Sequence, residues 1–382
     1  MSDFINIYNE LLNKNRLRKL KVIDIDKVTA KTADGNKIVF CSNDYLGLSF
    51  NKDIIEQEIE ILKKSGSGSG ASRLVSGNSS YHQNLENYFA EFSKKPRAVL
   101  FSSGYQANVG TISTLAKKGD HIFSDELCHA SIIDGCRLSK AEIHVYNHLD
   151  TEQLEDLLLE NKNSDGNRFI ITEGIFSMDG DLPPLEEITE IAQKNRSFLY
   201  LDEAHSIGIL GPGGRGLAAQ LNLSDKIDIL MGTFGKAVAS SGAAAGVDFP
   251  VDEVLKSSAR SMVYSTALPP HICAGTLKSL QIINDADTLR EKLFDNIKYF
   301  KKQACTKNIP LIKSDTPIQP IIIGGEEETM KISQKLWDRG FFVQGIRPPT
   351  VKPGSSRLRV TVTAAHTTEQ IDSLIETLEK II

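Results

Sequence analysis

Short apolar runs recur through the middle of the chain, at 98–101, 121–123, 142–146, 169–172, 198–201, 227–231 and 243–247. Each has the length of a strand, and helix-length segments such as 108–117 and 151–160 separate the first six. Strands alternating with helices predict a mostly parallel sheet covered on both faces. Only a turn around Lys236 joins the last two runs, too short for a crossover helix, so that pair is expected to be antiparallel. Residues 4–21 read as a helix, with extended segments near 21–28 and 37–41. Beyond Leu268-Pro269-Pro270 the pattern becomes a long helical stretch over 271–305, then strands near 318–323, 341–344 and 357–363. A closing helix opens at Thr367: Thr367 and Gln370 form a capping box, and Ile371, Leu374, Ile375, Leu378 and Ile382 recur at helical spacing. The expected class is α/β, a seven-stranded mostly parallel sheet with helices on both faces plus a smaller C-terminal α+β domain. The expected segments are 1–45, 46–270 and 271–382.

Composition narrows the partners. With 382 residues, 40% hydrophobic and 24% charged, the chain has ordinary globular proportions. A net charge of −5 without a basic tail predicts no nucleic-acid or membrane-surface partner. The opening residues lack a signal-peptide pattern, and no apolar run approaches the roughly 18–20 residues of a membrane span. A cytoplasmic protein is expected. The five cysteines are odd in number and contain no CxxC pair, which argues against a disulfide framework or a zinc site; no metal is expected.

The candidate chemistry gathers at strand ends. Lys236 lies in Gly232-Thr233-Phe234-Gly235-Lys236-Ala237, directly after one apolar run, and Asp202 opens Asp202-Glu203-Ala204-His205 directly after another. A lysine amine can form a Schiff base with an aldehyde cofactor, and an aspartate can keep a pyridine nitrogen protonated, so the pair suits pyridoxal phosphate. Ser103-Gly104-Tyr105 follows the first strand and opens a helix, a natural phosphate site. His129 and Ser177 also follow strands; a lone histidine is more often structural, but a flat imidazole could stack on a flat cofactor. Polar groups where parallel strands finish mark the ligand edge of an open α/β sheet.

Other motifs are weaker. The glycine-rich stretch Gly66 to Asn78 fails GxGxxG, but the embedded Arg73-Leu74-Val75 favours an ordered loop near a ligand over a linker. Gly211-Pro212-Gly213-Gly214-Arg215-Gly216 matches GxGxxG, yet it starts well past its strand and contains a proline, so it reads as a structural turn. Asp202 to His205 spells DEAH, but without a Walker loop it does not read as an ATPase motif. Arg347-Pro348-Pro349-Thr350 and Ser356-Arg357-Leu358-Arg359 offer carboxylate-binding forks. Exposed arginines are the plain alternative, but Arg359 alternates with apolar residues in a strand pattern.

With Ser42-Asn43-Asp44-Tyr45-Leu46-Gly47-Leu48, Tyr264-Ser265-Thr266 and Thr363-Ala364-Ala365-His366-Thr367 added to these segments, nearly the whole chain resembles the α-oxoamine synthases, PLP-dependent enzymes of fold type I. The stretches Gly70 to Gly77 and Ile346 to Val351 favour the branch that condenses L-alanine with pimeloyl-CoA or pimeloyl-acyl carrier protein over the glycine C-acetyltransferases. Serine palmitoyltransferase is a further alternative, and so is a non-catalytic scaffold subunit, which would be expected to lack the lysine. The resemblance implies that Lys236 holds pyridoxal phosphate and acts as general base, Asp202 pairs with the ring nitrogen, and His129 stacks on the ring. His205 and Ser177 would lie near the phenolate oxygen, Gly104 and Tyr105 would support the cofactor, and Thr233 would bind its phosphate. Ser265 and Thr266 would reach the phosphate of the neighbouring subunit in a homodimer with shared sites. Arg18, Asn43, His129 and Arg359 would contact the substrates, with Thr350 lining the acyl site. The stretch Ala237-Val238-Ala239 departs from the family, where a bulkier aromatic and a glycine are common.

Overall fold

The computed structural model describes residues 2–14, 16–162 and 165–382. The chain forms two compact units: Met1–Gly47 with Met178–Asp181 and Leu289–Ile382, and Leu48–Ser177 with Leu182–Thr288.

The second unit is built on a seven-stranded sheet of β1 (Arg97–Phe101), β2 (His121–Asp125), β3 (Glu142–Tyr146), β4 (Arg168–Glu173), β5 (Phe198–Asp202), β6 (Ile229–Thr233) and β7 (Ala243–Val247). Their order is β1-β7-β6-β5-β4-β2-β3, and only β7 runs against its neighbours β6 and β1. The crossover helices keep the other strands parallel, and the short 234–242 turn reverses the last one. Strands β2, β4 and β7 are nearly or wholly buried, as expected of a sheet covered on both faces. Val99, Ile122, Ile171, Tyr200, Met231 and Ala245 form its core with Ala107, Ile112 and Ile132 from the covering helices. This core places Glu173, Asp202 and Thr233, the last residues of β4, β5 and β6, along one sheet edge.

In the first unit the N-terminal segment is not a separate domain. Lys37–Val39 pairs with Thr29–Lys31 on one side and, in parallel, with Phe341–Phe342 on the other. A second sheet joins Ile318–Gly324, Ser356–Thr361 and Gln344–Ile346. The strand expected at 341–344 therefore divides between two sheets. The helix expected over 4–21 stops at Asn13. Beyond it, long-range bonds hold the chain extended: Arg16 pairs with Glu326 at 3.0 Å and the Leu17 carbonyl accepts from Arg347 at 3.0 Å. The helical stretch expected over 271–305 is two helices, Pro270–Asn284 and Asp287–Thr306. The first does not open the C-terminal domain; its buried face, with Cys273, Ala274 and Leu280, packs on the helices Lys52–Ser65 and Ser80–Phe92 of the second unit.

The closing helix Thr368–Glu379 starts from the expected capping box, with Gln370 N donating to Thr367 Oγ1 and Thr367 N donating to Gln370 Oε1. Ile371, Leu374, Ile375 and Leu378 are buried, whereas Ile382 lies beyond the helix and is exposed. Just before the cap, His366 is fully buried and stacks on Phe40 with ring centroids 4.0 Å apart. Its Nε2 donates to the Val39 carbonyl at 3.0 Å and its Nδ1 accepts from Thr363 N at 3.0 Å. A second proton would point Nδ1–H at the Thr363 N–H in a fully buried site, and burial lowers the pKa to about 4.

The unfolded imidazole takes its proton near 6.5, while the folded one resists protonation down to about 4, so the stability it supports is lost as pH falls between those values. Between pH 7 and pH 5 this residue is expected to cost the native state about 2 kcal/mol. Urea unfolding of the wild type and His366→Gln at both pH values measures the difference, and equal losses in the two proteins would contradict the assignment.

Candidate active site

Lys236 projects from the turn that reverses the sheet. Phe234 N donates to the Gly242 carbonyl at 2.9 Å, Ser240 N to the Phe234 carbonyl at 2.7 Å and Ala239 N to the Lys236 carbonyl at 2.8 Å, so the turn is closed by its own backbone. The buried Phe234 ring meets Phe89 edge-on at 5.6 Å and anchors it to the core. Ala239 takes φ of +53°, a left-handed value that glycine adopts at less cost than alanine.

Asp202, at the end of β5, is buried and held on both oxygens. Oδ1 accepts from Ala204 N at 2.9 Å, and Oδ2 accepts from the Asn108 side-chain amide at 2.8 Å. The same amide nitrogen donates to Ser131 Oγ at 2.9 Å, while Asn108 Oδ1 accepts from the Tyr200 hydroxyl at 2.6 Å, which fixes the amide's orientation. Ser131 Oγ, already an acceptor, gives its own proton to His129 Nδ1 at 2.7 Å. The network thus assigns the neutral His129 proton to Nε2. Burial lowers the His129 pKa; Asp202 opposes the shift and the Lys236 ammonium adds to it.

Glu173, the last residue of β4, is buried and accepts from His129 N. Burial and then repulsion from Asp202 push its pKa well above the carboxylate range, against the pull of the His129 amide and Lys236. The shift favours the protonated form of Glu173, which would relieve its repulsion with Asp202. The charge of Lys236 acts on both His129 and Glu173, which places the ammonium in the same group as Asp202.

The remaining expected residues of this unit take varied positions. Gly104 opens the helix Gly104–Leu115, whose cap is Ser103 accepting from Gln106 N. A Cβ on Gly104 would overlap the Thr233 methyl, so only glycine lets the helix start approach the end of β6. Tyr105 is half exposed and its hydroxyl bonds Asp134. His205 is buried beyond β5, and Ser177 is half-buried beyond β4. Ser265 and Thr266 line a narrow cleft with Arg73, Phe101 and Ser102, beside the same helix start. The glycine-rich loop is ordered: Arg73 pairs with Glu86, and Ala267 N donates to the Ala71 carbonyl at 3.0 Å. The Gly211 to Gly216 turn wraps Glu203, whose carboxylate accepts from Leu217 N and Ala218 N; the DEAH glutamate is thereby used as a helix cap.

In the first unit the structure brings the expected substrate residues together in two pairs. Arg18 Nη2 donates to Thr350 Oγ1 at 3.0 Å. Buried Arg359 donates to Asn43 Oδ1 and to Thr361 Oγ1, both at 3.1 Å, and Asn43 Oδ1 also accepts from Tyr45.

Asn108, Ser131, Tyr200 and Glu173 were not singled out from sequence. Tyr200 stands two residues before Asp202 in the same strand, so period-two alternation puts both on one face. Asn108 is a buried amide on the inner face of a helix, next to Ala107 and Thr111. A polar residue on an apolar stripe was the available signal.

Residues 35–378 match the family Aminotransferase class I and II. An 8-amino-7-oxononanoate synthase from Thermoanaerobacter pseudethanolicus is 42% identical over 99% of this chain and 96% of its own length. The chain belongs to the 8-amino-7-oxononanoate synthase family. A solved 8-amino-7-oxononanoate synthase from Francisella tularensis aligns with TM-score 0.78 at 33% identity, covering 90% of this chain and 97% of that one. A serine palmitoyltransferase variant from S. paucimobilis, solved with PLP and myriocin bound, aligns with TM-score 0.92 at 30% identity, covering 99% and 96%. The fold is that of the PLP-dependent aminotransferases, and the 8-amino-7-oxononanoate synthase family is PLP-dependent. The site fits that cofactor on its own terms: a buried carboxylate with oxygen lone pairs to spare, a helix start that tolerates no Cβ, and a lysine whose charge acts on His129 and Glu173.

Asn108→Ala would strip a donor from Asp202 and Ser131 and leave the buried Tyr200 hydroxyl without its acceptor. Turnover is expected to fall about tenfold to a hundredfold, equivalent to roughly 1.4–2.7 kcal/mol, with cofactor retained. Steady-state kinetics and cofactor content check this; unchanged kcat would remove Asn108 from the site.

Proposed function

We propose that this chain condenses L-alanine with a pimeloyl thioester, carried by CoA or an acyl carrier protein. The products are 8-amino-7-oxononanoate, CO2 and the free thiol, a step of biotin biosynthesis. The observation that carries this reading is Lys236 standing electrostatically beside His129 and Glu173, in the group that contains the pinned Asp202. Backbone likeness to serine palmitoyltransferase does not decide the substrate, because one fold serves several chemistries.

Pyridoxal phosphate, when bound, supplies an electron sink for the pair released at the amino-acid Cα. Lys236 would hold it through Nζ and, once displaced, take up the Cα proton there. Asp202, with Asn108 and Ala204 fixing its direction, would face the ring nitrogen and keep it protonated. His129, kept neutral by burial, would offer a flat uncharged face to the ring. The Gly104 and Tyr105 amides and the Thr233 hydroxyl would hold the phosphate, since the Ser103 cap uses the Gln106 amide. His205 and Ser177 would bond the phenolate oxygen. Arg359, held straight by Asn43 and Thr361, would clamp the alanine carboxylate and so orient the Cα–H bond. Arg18 and Thr350 would line the acyl side.

A homodimer with shared sites is part of the proposal. Leu74, Val75, Tyr105 and Tyr264 expose large apolar surface, and the segments that carry them pack on or adjoin the helix Arg260–Val263, next to Ser265 and Thr266. A two-fold contact there would cover them and carry Ser265 and Thr266 to the partner's phosphate.

Thiol release with L-alanine and a panel of acyl-CoAs is expected to be fastest with pimeloyl-CoA; faster release with glycine plus acetyl-CoA, or serine plus palmitoyl-CoA, would replace the reading. Lys236→Ala is expected to abolish turnover, and Asp202→Asn to lower it strongly with cofactor still bound. Wild-type rates in either variant would contradict the roles of these two residues. Val75→Glu combined with Tyr264→Glu is expected to halve the mass seen by light scattering, and an unchanged mass would move the interface elsewhere.

A further inference from the structure

A second cluster of chemistry lies in the second unit, at the opposite edge of the sheet from Asp202. His121 opens β2 and Glu142 opens β3, its parallel neighbour; the two are direct register partners. His144 follows Glu142 by two residues and therefore stands on the same face. His121 Nδ1 and His144 Nε2 are 3.1 Å apart, and the Glu142 carboxylate reaches within 3.8 Å of each. One nitrogen or oxygen from each residue falls within 4.8 Å of the others.

We propose that His121, His144 and Glu142 form a zinc site that ties the edge strand β3 to β2. Ligands at 2.0–2.2 Å from a tetrahedral zinc stand about 3.3–3.5 Å from one another. The two nitrogens already meet that spacing to within a few tenths of an ångström. The Glu142 oxygens nearest the two nitrogens are different ones, so a single ligand oxygen needs a swing of roughly 1–1.5 Å, and its side chain, 66% exposed, has room to make it. The imidazoles are the fixed part: their side chains are only 8% and 12% exposed, and His144 lies flat against Phe123 at 4.8 Å. Two imidazoles and a carboxylate are a borderline donor set suited to zinc, with water as the fourth ligand. The cysteine pattern that argued against a zinc site does not bear on this one, because no thiol takes part. Since β3 is the last strand of its sheet, bonded among the described residues to β2 alone, a shared ion would hold it where the ladder has one partner.

Calorimetric titration of the cofactor-loaded enzyme with zinc chloride tests this. One zinc per chain is expected, with binding at least tenfold weaker in His144→Gln and severalfold weaker in Glu142→Gln. Both variants are expected to keep wild-type turnover and cofactor content, as neither residue belongs to the Lys236 group. Glu142 is exposed, so its variant tests the site even if His144→Gln folds poorly. Absence of a stoichiometric event, or wild-type affinity in Glu142→Gln, would overturn the proposal.

Discussion

The hydrogen bond from Asn108 to Asp202 is the constraint on which the catalytic unit depends. It runs from the inner face of a helix to the end of β5 and fixes the direction of a carboxylate buried where a misplaced charge would be costly. Tyr200 sets the amide's orientation, and Ser131 passes that orientation to His129. Residues from two helices and one strand thus share a single polar chain. Such a chain is rigid because reversing any member leaves a buried group unsatisfied.

Electrostatics around this chain separate the roles of the titratable groups. Glu173 and Asp202 end neighbouring strands, yet burial drives Glu173 towards its protonated form while Asp202 collects two donors. His129 is held towards neutrality between the opposing influences of Asp202 and Lys236.

The first unit follows a different logic. Its ends are joined through His366, which binds the Val39 carbonyl, and through the parallel pairing of Lys37–Val39 with Phe341–Phe342. Arg359 is buried, and the Asn43 amide oxygen and Thr361 hydroxyl that accept from it fix the direction of its guanidinium. The zinc site proposed at the start of β2 and β3 is separate from both groups and concerns the stability of the sheet's edge.

The alternation of apolar runs with helix-length polar segments determined the sheet, its seven strands and the one reversed strand, because strand length and crossover length are local properties of the chain. The capping box at Thr367 and the strand-end positions of Lys236 and Asp202 were legible for the same reason. Tertiary structure decided what local pattern cannot encode. The N-terminal helix ends early because Arg16 and Leu17 find partners more than 300 residues away. Residues 341–344 divide because two sheets compete for them. Asn108 became a site residue, and His121 became a neighbour of His144, only when separate strands and helices were brought side by side. A side chain's chemistry is set by the groups that surround it, and sequence fixes those only where they are near in the chain.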